Sequence, residues 1–361
     1  MFQRIYINNY RCFQNFDFKP KDCSSVLLIG KNGSGKSTLR DALMIFQKIG
    51  LDEMQLDRLI GQVDFYDSRM EIPIRFELEI LINSRLFHYE LAIDREPNNF
   101  HPCVLEENLE VNGEAIFSRQ RRKITTKDQG NQEITLDMDV HKIFLPFFST
   151  GERQTFQWWL KRIVLLSPAP GLMTGQATRT KGFDINAVNW CIWLSHLLNR
   201  HPAAYGKIEK ILKQYPAMED IDSFRFNEFD MDTKWLLVDF KSINKPLIFD
   251  FLSDGEKMYF LVALVLVSSE IEKPQFVFWD EPDAHLMPDE VDHFIRDLRG
   301  VFQRNGGQIF ITSHHARTIR CFADENTWLL DRKNHSEPTT IRCAEELGSD
   351  WIQDYLAGEL E

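Results

Sequence analysis

A glycine-rich segment near the N-terminus has the residue types of a phosphate-binding loop. Residues 30–37 fit the pattern G-x-x-x-x-G-K-[ST], and with the residue that follows the segment consists of Gly30, Lys31, Asn32, Gly33, Ser34, Gly35, Lys36, Ser37 and Thr38. Glycines let the backbone curl so that consecutive N–H groups point inward at phosphate oxygens. Lys36 is then in reach of β- and γ-phosphates, and the Ser37 hydroxyl is a ligand for Mg²⁺. The segment therefore predicts a nucleotide site.

A pair of carboxylates follows an apolar run in the second half of the chain. Residues 276–279 are apolar, and Asp280 and Glu281 come directly after them. Ligands of open α/β sheets bind at the carboxyl ends of strands, so this position suits chemistry. We expect Asp280 to hold Mg²⁺, directly or through water, and Glu281 to orient and deprotonate an attacking water. By itself the pair is a weak signal, because many strands leave a sheet in this way.

Two further segments have the residue types to contact a phosphate. Ser253 and Gly255 stand directly before an apolar helix, where a hydroxyl, a bare backbone and a helix N-terminus together form an anion site. The same residues also fit an ordinary capping box, with Ser253 as N-cap and Glu256 three residues later. His314 follows another buried strand. It is either a structural side chain or a group that senses the γ-phosphate.

Hydrophobic patterns predict the elements that must position these residues. Strands are expected at 2–7, 26–29, 235–240, 276–279 and 308–312, and helices at 37–49, 257–271 and 290–302. Strand and helix alternate at both ends of the chain, which favours a parallel sheet with crossover helices. Residues 70–145 instead alternate apolar with polar and contain an Asn112-Gly113 turn, so an antiparallel β lobe is expected there. Residues 150–220 are expected to be helical and are rich in aromatic residues.

The order of these segments resembles a known family. Phosphate loop, serine-headed helix, acidic strand and histidine strand follow one another as in the prokaryotic ABC-type ATPases related to RecF, SMC heads and the overcoming-lysogenization-defect proteins. Residues 7–13 resemble the first strand of that family, 280–286 its Walker B motif and D-loop, and 313–315 its Thr-His-Ser switch, with His314 in the histidine place. The resemblance implies an α/β P-loop NTPase fold, with residues 1–361 forming one ABC-type ATPase head. Within it lie the β lobe at 70–145, an inserted helical lobe at 150–220, and at 221–361 the lobe with signature, Walker B and switch histidine.

The resemblance also implies a reaction and an assembly. The chain is expected to hydrolyse ATP with Mg²⁺, with Lys36, Glu281 and His314 in the catalytic roles. Two copies are expected to close head to head, so that Ser253 and Gly255 of each contact the ATP bound by the other. The resulting assembly is an even-numbered oligomer of the same chain.

The sequence departs from the family pattern at three places. The signature has Asp254 and Glu256 where transporters carry Gly and Gln, which resembles the non-transporter branch more closely. His315 replaces the usual serine of the switch. The glutamine of the Q-loop is either Gln62 or Gln154, and both positions are equally compatible with an exposed polar residue.

Composition limits the range of partners. The net charge of −12 argues against a broad basic surface, so DNA binding is possible but not indicated. The densest basic group, which we interpret as a solvated hairpin tip, is Arg119, Arg121, Arg122 and Lys123. Six scattered cysteines indicate reduced thiols, and no apolar run approaches the about 20 residues that span a bilayer. We therefore expect a cytoplasmic protein without a membrane segment.

What the chain lacks narrows the expected role. The 215 residues between Ser37 and Ser253 carry no heptad pattern for SMC-like arms, and the 46 residues after His315 are too few for a toprim nuclease domain. We therefore expect that the chain does not cut DNA itself, and a transporter subunit fits the lobes poorly. Family resemblance then implies the sensor or scaffold ATPase of a prokaryotic anti-phage system, acting with a separate effector protein. The alternative is a RecF-like DNA-binding clamp in repair.

Overall fold

The computed structural model describes most of the chain and divides it into two compact units. The described residues are 1–20, 22–65, 71–96, 101–127, 132–147, 150–178, 185–228, 233–272, 276–322, 326–348 and 351–358. The first unit consists of Met1–Val164 and Asp324–Glu361, and the second of Leu165–Ala323.

The first unit contains a long antiparallel sheet. Its strands, in spatial order, are β2 (Phe16–Phe18), β1 (Phe2–Asn8), β4 (Ile74–Ile82), β5 (Arg85–Arg95), β6 (Pro102–Val111), β7 (Glu114–Gln120), β8 (Lys123–Lys127) and β9 (Glu133–Asp137). The alternating pattern of β4 buries Ile74, Phe76, Leu78 and Ile80 on one face. Asn112 and Gly113 both have positive φ, 51° and 81°, as a two-residue hairpin turn requires. The expected antiparallel sheet is thus present, and β1 and β2 extend it beyond residues 70–145.

The same unit carries the strand that leads into the phosphate loop. β3 (Ser25–Ile29) pairs in parallel with β17 (Thr327–Asp331), which pairs antiparallel with β18 (Thr340–Cys343). All five residues of β3 are buried, which explains its uninterrupted apolar sequence. The helices of this unit are α1 (Lys36–Gly50), α2 (Gly151–Lys161) and α8 (Trp351–Ala357).

The second unit combines parallel strands with helices and a small antiparallel sheet. β10 (Val164–Leu166) lies at its boundary, and β15 (Phe276–Asp280) pairs in parallel with β16 (Gln308–Thr312). The antiparallel strands are β11 (Gln176–Thr178), β12 (Ile221–Glu228), β13 (Thr233–Phe240) and β14 (Leu247–Ile248). The helices are α3 (Trp190–Arg200), α4 (Ala204–Leu212), α5 (Asp254–Ile271), α6 (Pro288–Asn305) and α7 (Ala316–Phe322). The predicted helical stretch 150–220 therefore also contains two short strands, β10 and β11.

Helix α5 has the predicted site residue Ser253 as its N-cap. Its residues from Lys257 to Ser269 are all buried, so the helix has no exposed face along that stretch. None of the helices in the described parts of the chain has the combination of length and apolarity that a bilayer crossing needs.

The interpretation of the basic group as a solvated hairpin tip is wrong for one of its members. Arg121, Arg122 and Lys123 are exposed at the turn between β7 and β8, but Arg119 is fully buried. Its guanidinium lies 3.2 Å from the carboxylate of Glu107, which is buried as well. It also donates to three backbone carbonyls, those of Arg121, Asp139 and Lys142. Phe117 and Arg119 are two residues apart on β7, so their side chains point to the same face of the sheet. That face is buried, and Arg119 therefore lies in the core.

Glu107 is the other half of a closed polar network. Its two carboxylate oxygens accept bonds from the Tyr89 hydroxyl and from the backbone N–H groups of Phe144 and Leu145, at 2.8–3.0 Å. Burial raises the pKa of Glu107, and the charge of Arg119 opposes that rise. The pair thus pins the segment around residue 144 onto β5, β6 and β7.

We predict that Arg119→Met lowers the free energy of unfolding by about 3–5 kcal/mol at pH 8, because it leaves a buried carboxylate without its cation. The loss should shrink at pH 5, since the raised pKa of Glu107 lets the variant keep that group protonated and neutral. Urea titrations at the two pH values measure both effects.

Arg122→Met is the matched control, because this arginine lies on the same hairpin with its side chain 64% exposed. Its effect should stay within about 1 kcal/mol. Equal losses for the two variants would contradict the structural role of Arg119.

Candidate functional site

The phosphate loop connects β3 to α1, and its shape depends on glycine. Gly30, Gly33 and Gly35 have φ values of 151°, 81° and 107°, in the region that residues with a Cβ avoid. At Gly30 space forbids a side chain as well, because an added Cβ would lie 2.2 Å from the carbonyl oxygen of Leu330. The backbone conformation of the loop therefore requires glycine at these three positions.

The loop presents a cation and an uncapped helix start. The ammonium of Lys36 donates to the carbonyls of Gly30 and Lys31, at 2.6 and 3.3 Å. No side chain caps the N-terminus of α1, and Gly35 occupies the N-cap position. The Ser37 side chain lies at an exposed position. A buried lysine, uncapped helical N–H groups and an accessible hydroxyl fit a triphosphate with Mg²⁺.

The acidic strand is organised by a hydroxyl on its neighbour. Asp280 ends β15 in register with Thr312, the last residue of β16. The Thr312 hydroxyl donates to the Asp280 carboxylate at 2.5 Å and accepts the backbone N–H of Glu281 at 3.0 Å. One side chain thus fixes both acidic residues. This role of Thr312 is not predicted from the sequence, because the register of β15 against β16 is set by tertiary structure.

Glu281 has an unusual backbone conformation. Its φ of 49° is left-handed, which is rare for a residue with a side chain and typical of functional sites. Its carboxylate lies 3.7 Å from the imidazole of His314, and both side chains are partly exposed. The predicted general base and the predicted switch histidine are therefore neighbours at the ends of two paired strands. In this place the pair is able to hold a water molecule and move its proton.

A buried carboxylate joins the turns that follow these two strands. Asp283 is 3% exposed and accepts hydrogen bonds from the hydroxyls of Ser313, at 2.6 Å, and Thr318. Ser313 in turn accepts the backbone N–H of His315 at 2.9 Å. Asp283 therefore ties the D-loop to the residues on both sides of His314. From the sequence alone, Asp283 is only a member of the D-loop.

The signature residues lie at the start of α5. Ser253 is the N-cap, and both bonds of the capping box are formed, Glu256 N–H to Ser253 Oγ at 3.3 Å and Ser253 N–H to the Glu256 carboxylate at 2.7 Å. The ordinary helix-start interpretation thus holds, and it leaves Ser253 exposed. Gly255 packs closely, because an added Cβ would lie 3.3 Å from the backbone oxygen of His285 in the D-loop.

The two candidates for the Q-loop glutamine are both exposed and lie on different elements. Gln62 begins a short turn that contains Asp64, whose carboxylate lies 2.8 Å from Arg11. Arg11 also pairs with Asp41 on α1, and so links this turn to the helix that follows the phosphate loop. Gln154 is exposed on α2.

The predicted site residues fall into two groups, one in each unit. The first unit holds the loop residues 30–38, and the second holds Ser253, Gly255, Asp280, Glu281 and His314. Within the second unit the acidic strand, the D-loop and the histidine are joined by the hydroxyl contacts described above.

Comparison with known proteins identifies the family. The model of the RecF/RecN/SMC N-terminal domain matches residues 1–336. The chain belongs to this family. The family implies ATP binding and hydrolysis.

Solved SMC heads are among the structures similar to this chain. One, an SMC head bound to the C-winged-helix domain of ScpA, superposes with a TM-score of 0.56 at 11% identity, over 96% of this chain and 98% of that one. Another, an SMC head with an extended coiled coil bound to the C-terminal domain of ScpA from Pyrococcus furiosus, gives 0.49 at 11% identity, over 96% and 97%. The first likeness confirms the expected α/β P-loop ATPase fold.

A curated relative matches only locally. The ABC transporter ATM1 of Plasmodium falciparum is 34% identical over 82 residues, which are 22% of this chain and 8% of the transporter. The match thus covers a small part of that transporter's length.

We predict that Thr312→Val lowers the kcat of ATP hydrolysis about tenfold while leaving ATP affinity within about twofold, because it releases the acidic strand without touching the phosphate loop. Thr312→Ser keeps the hydroxyl and should keep most of the activity. Steady-state phosphate release and nucleotide titration measure the two quantities. Equal losses in the valine and serine variants would mean that the hydroxyl does not organise the carboxylates.

Proposed function

We propose that the chain is an Mg²⁺-dependent ATPase that works as a nucleotide-driven dimeric switch. The observation that carries the proposal is the contact between Glu281 and His314, held by Thr312 and Asp283 at the ends of paired strands. Family membership and the phosphate loop support ATP as the substrate. That the two groups of residues face one nucleotide is part of the proposal.

The chemistry assigned to each side chain follows from its position. Lys36 exchanges the carbonyls of Gly30 and Lys31 for the phosphate oxygens of ATP, which carry full negative charge. Glu281 orients a water molecule and accepts its proton, and His314 lies 3.7 Å from the Glu281 carboxylate on the same side of the strands' ends. Ser37 and Asp280 would hold Mg²⁺, which would neutralise charge on the phosphates. Of the two candidates, Gln62 is proposed as the Q-loop glutamine because its turn is linked to α1.

We predict that Glu281→Gln separates binding from hydrolysis. An amide keeps the hydrogen bond to water but cannot take its proton, so phosphate release should slow by about 100-fold or more. ATP should still bind and stay intact, which chromatography of the extracted nucleotide measures. Glu270→Gln, in the last turn of α5, is the control and should hydrolyse ATP normally. If Glu281→Gln turns over at the parental rate, another group is the base.

The dimeric part of the proposal rests on Ser253. This side chain is exposed at the start of α5, and its hydroxyl already caps its own helix. Because this hydroxyl acts as an acceptor in the capping box, its own hydrogen is able to bond to an anion from outside. An isologous contact between two copies would bring Ser253 and Gly255 of each to the γ-phosphate bound by the other, and so complete both sites at once.

We predict that mixing two inactive variants restores activity. Lys36→Ala loses the phosphate contact, and Ser253→Arg fills the space meant for the partner's phosphate with a bulky cation. A mixed dimer retains one site in which loop and signature are both intact, so partial hydrolysis should return in proportion to the mixed species. Each variant alone should be inactive, and Ser253→Arg should still bind ATP.

Two results would contradict the composite site. One is the absence of recovery although mass spectrometry shows mixed dimers. The other is normal turnover by Ser253→Arg at concentrations where ultracentrifugation finds monomers.

We propose further that the dimer is the sensor or scaffold ATPase of a prokaryotic anti-phage system with a separate effector protein. The SMC head solved with a winged-helix domain of ScpA supports the idea that heads of this fold carry partner proteins. The net charge of −12 favours a protein partner over DNA. The test is to co-express the chain with the product of the neighbouring gene. A complex that forms without DNA supports the proposal, whereas ATP-dependent retention on duplex DNA, lost steeply with salt, would replace it with a DNA clamp.

A further inference from the structure

The segment that follows the family match contacts the phosphate loop at two points. The match ends at residue 336. Beyond it, the Thr339 hydroxyl donates to the carbonyl of Ser34 at 2.9 Å, in buried surroundings. The hydroxyl of Tyr355, on α8, accepts the backbone N–H of Gly30 at 3.1 Å. The loop is therefore held from outside its own motif.

Thr339 is itself held in place by burial and by a backbone hydrogen bond. It is 2% exposed, and its backbone N–H donates to the carbonyl of Cys12 at 2.9 Å. An added Cβ on Gly35 would lie 3.1 Å from the Thr339 hydroxyl and equally close to Cys12. The neighbouring Gly35 is thus packed against Thr339 as well, and the loop has little room to move toward it.

The bond to Ser34 determines where the next N–H group points. A trans peptide is planar, so the carbonyl of Ser34 and the N–H of Gly35 point in opposite directions. When Thr339 holds the carbonyl on its own side, the Gly35 N–H is turned away from Thr339. This N–H belongs to the part of the loop that cradles the phosphates. Without the bond, the Ser34–Gly35 peptide loses the contact that prevents it from rotating.

Tyr355 acts at the other end of the loop. Gly30 requires a positive φ and closely approaches Leu330, so its backbone is the most constrained of the motif. Burial raises the pKa of Tyr355, which keeps its hydroxyl neutral. Trp351, 1% exposed, anchors the same helix in the first unit.

We propose that Thr339 and Tyr355 are positioning residues of the nucleotide site, and that they orient the phosphate loop for binding from a segment beyond the family match. This inference rests on the proposed function. It adds that the nucleotide affinity of this head depends on its C-terminal segment. Neither hydroxyl touches the nucleotide, and both act through the loop backbone.

The experiment compares Thr339→Val with Thr339→Ser in the full chain. Valine has nearly the same shape without the hydroxyl, and affinity for ATP and for ADP should each fall about tenfold, since the loop serves phosphates common to both. The kcat at saturating ATP should stay within about twofold, because the loss is the same in ground state and transition state. Serine restores the hydroxyl and should restore affinity. Tyr355→Phe should weaken both nucleotides about threefold.

Thermal denaturation without nucleotide separates positioning from general packing. Parental affinity in Thr339→Val or in Tyr355→Phe overturns the inference for that residue. Affinity losses that are equal in the valine and serine variants and follow a loss of melting temperature overturn it as well. If Thr339→Val does not fold, Tyr355→Phe alone decides, by the same criteria.

Lys36→Ala distinguishes this inference from the proposed function. If that variant binds ATP like the parent, the loop is not the nucleotide site and both ideas fail. If it loses binding while Thr339→Val and Tyr355→Phe do not, only the positioning role is wrong.

Discussion

A phosphate loop must keep several backbone N–H groups unpaired and pointing to one side, and the first unit is arranged around that requirement. A segment with left-handed glycines has no regular hydrogen-bond ladder to hold it, so other elements must supply the restraint. Here Leu330 packs against Gly30, and the hydroxyls of Thr339 and Tyr355 bond to the backbone at either end.

The second unit also contains a residue with a left-handed backbone, Glu281, which is held by contacts of its own. A left-handed φ at a residue with a side chain costs about 1–3 kcal/mol and persists only where neighbours determine it. At Glu281 the neighbours are Thr312, which holds its N–H, and the D-loop turn that Asp283 anchors. The partly exposed carboxylate of Glu281 therefore starts from a fixed backbone, and its distance to His314 follows from two paired strands rather than from a mobile loop.

Local sequence pattern is enough to predict the long buried elements that flank the motifs, whereas the short strands β10 and β11 are missed. The buried strands β3, β15 and β16, the hairpin at Asn112 and the start of α5 all follow from spacing within a few residues. Contacts between distant residues carry no such signal, which is why Thr312, Thr339 and Tyr355 escaped prediction: each is one hydroxyl whose partner lies elsewhere in the chain. Arg119 was misjudged for another reason. Its charge suggests that the side chain is exposed. Arg119 is buried because it lies two residues from Phe117 on β7, and both side chains point to the buried face.

The two halves of the proposed site are held in different ways. The carboxylates of Asp280 and Glu281 are already placed by bonds within their own unit. Lys36, by contrast, satisfies its buried charge on the carbonyls of Gly30 and Lys31. Phosphate oxygens carry full charge and are stronger partners for this ammonium than carbonyl dipoles, so the position of Lys36 favours a ligand with phosphates. The proposed supports at Thr339 and Tyr355 act on the loop backbone instead, so they are expected to serve any ligand whose phosphates the loop binds.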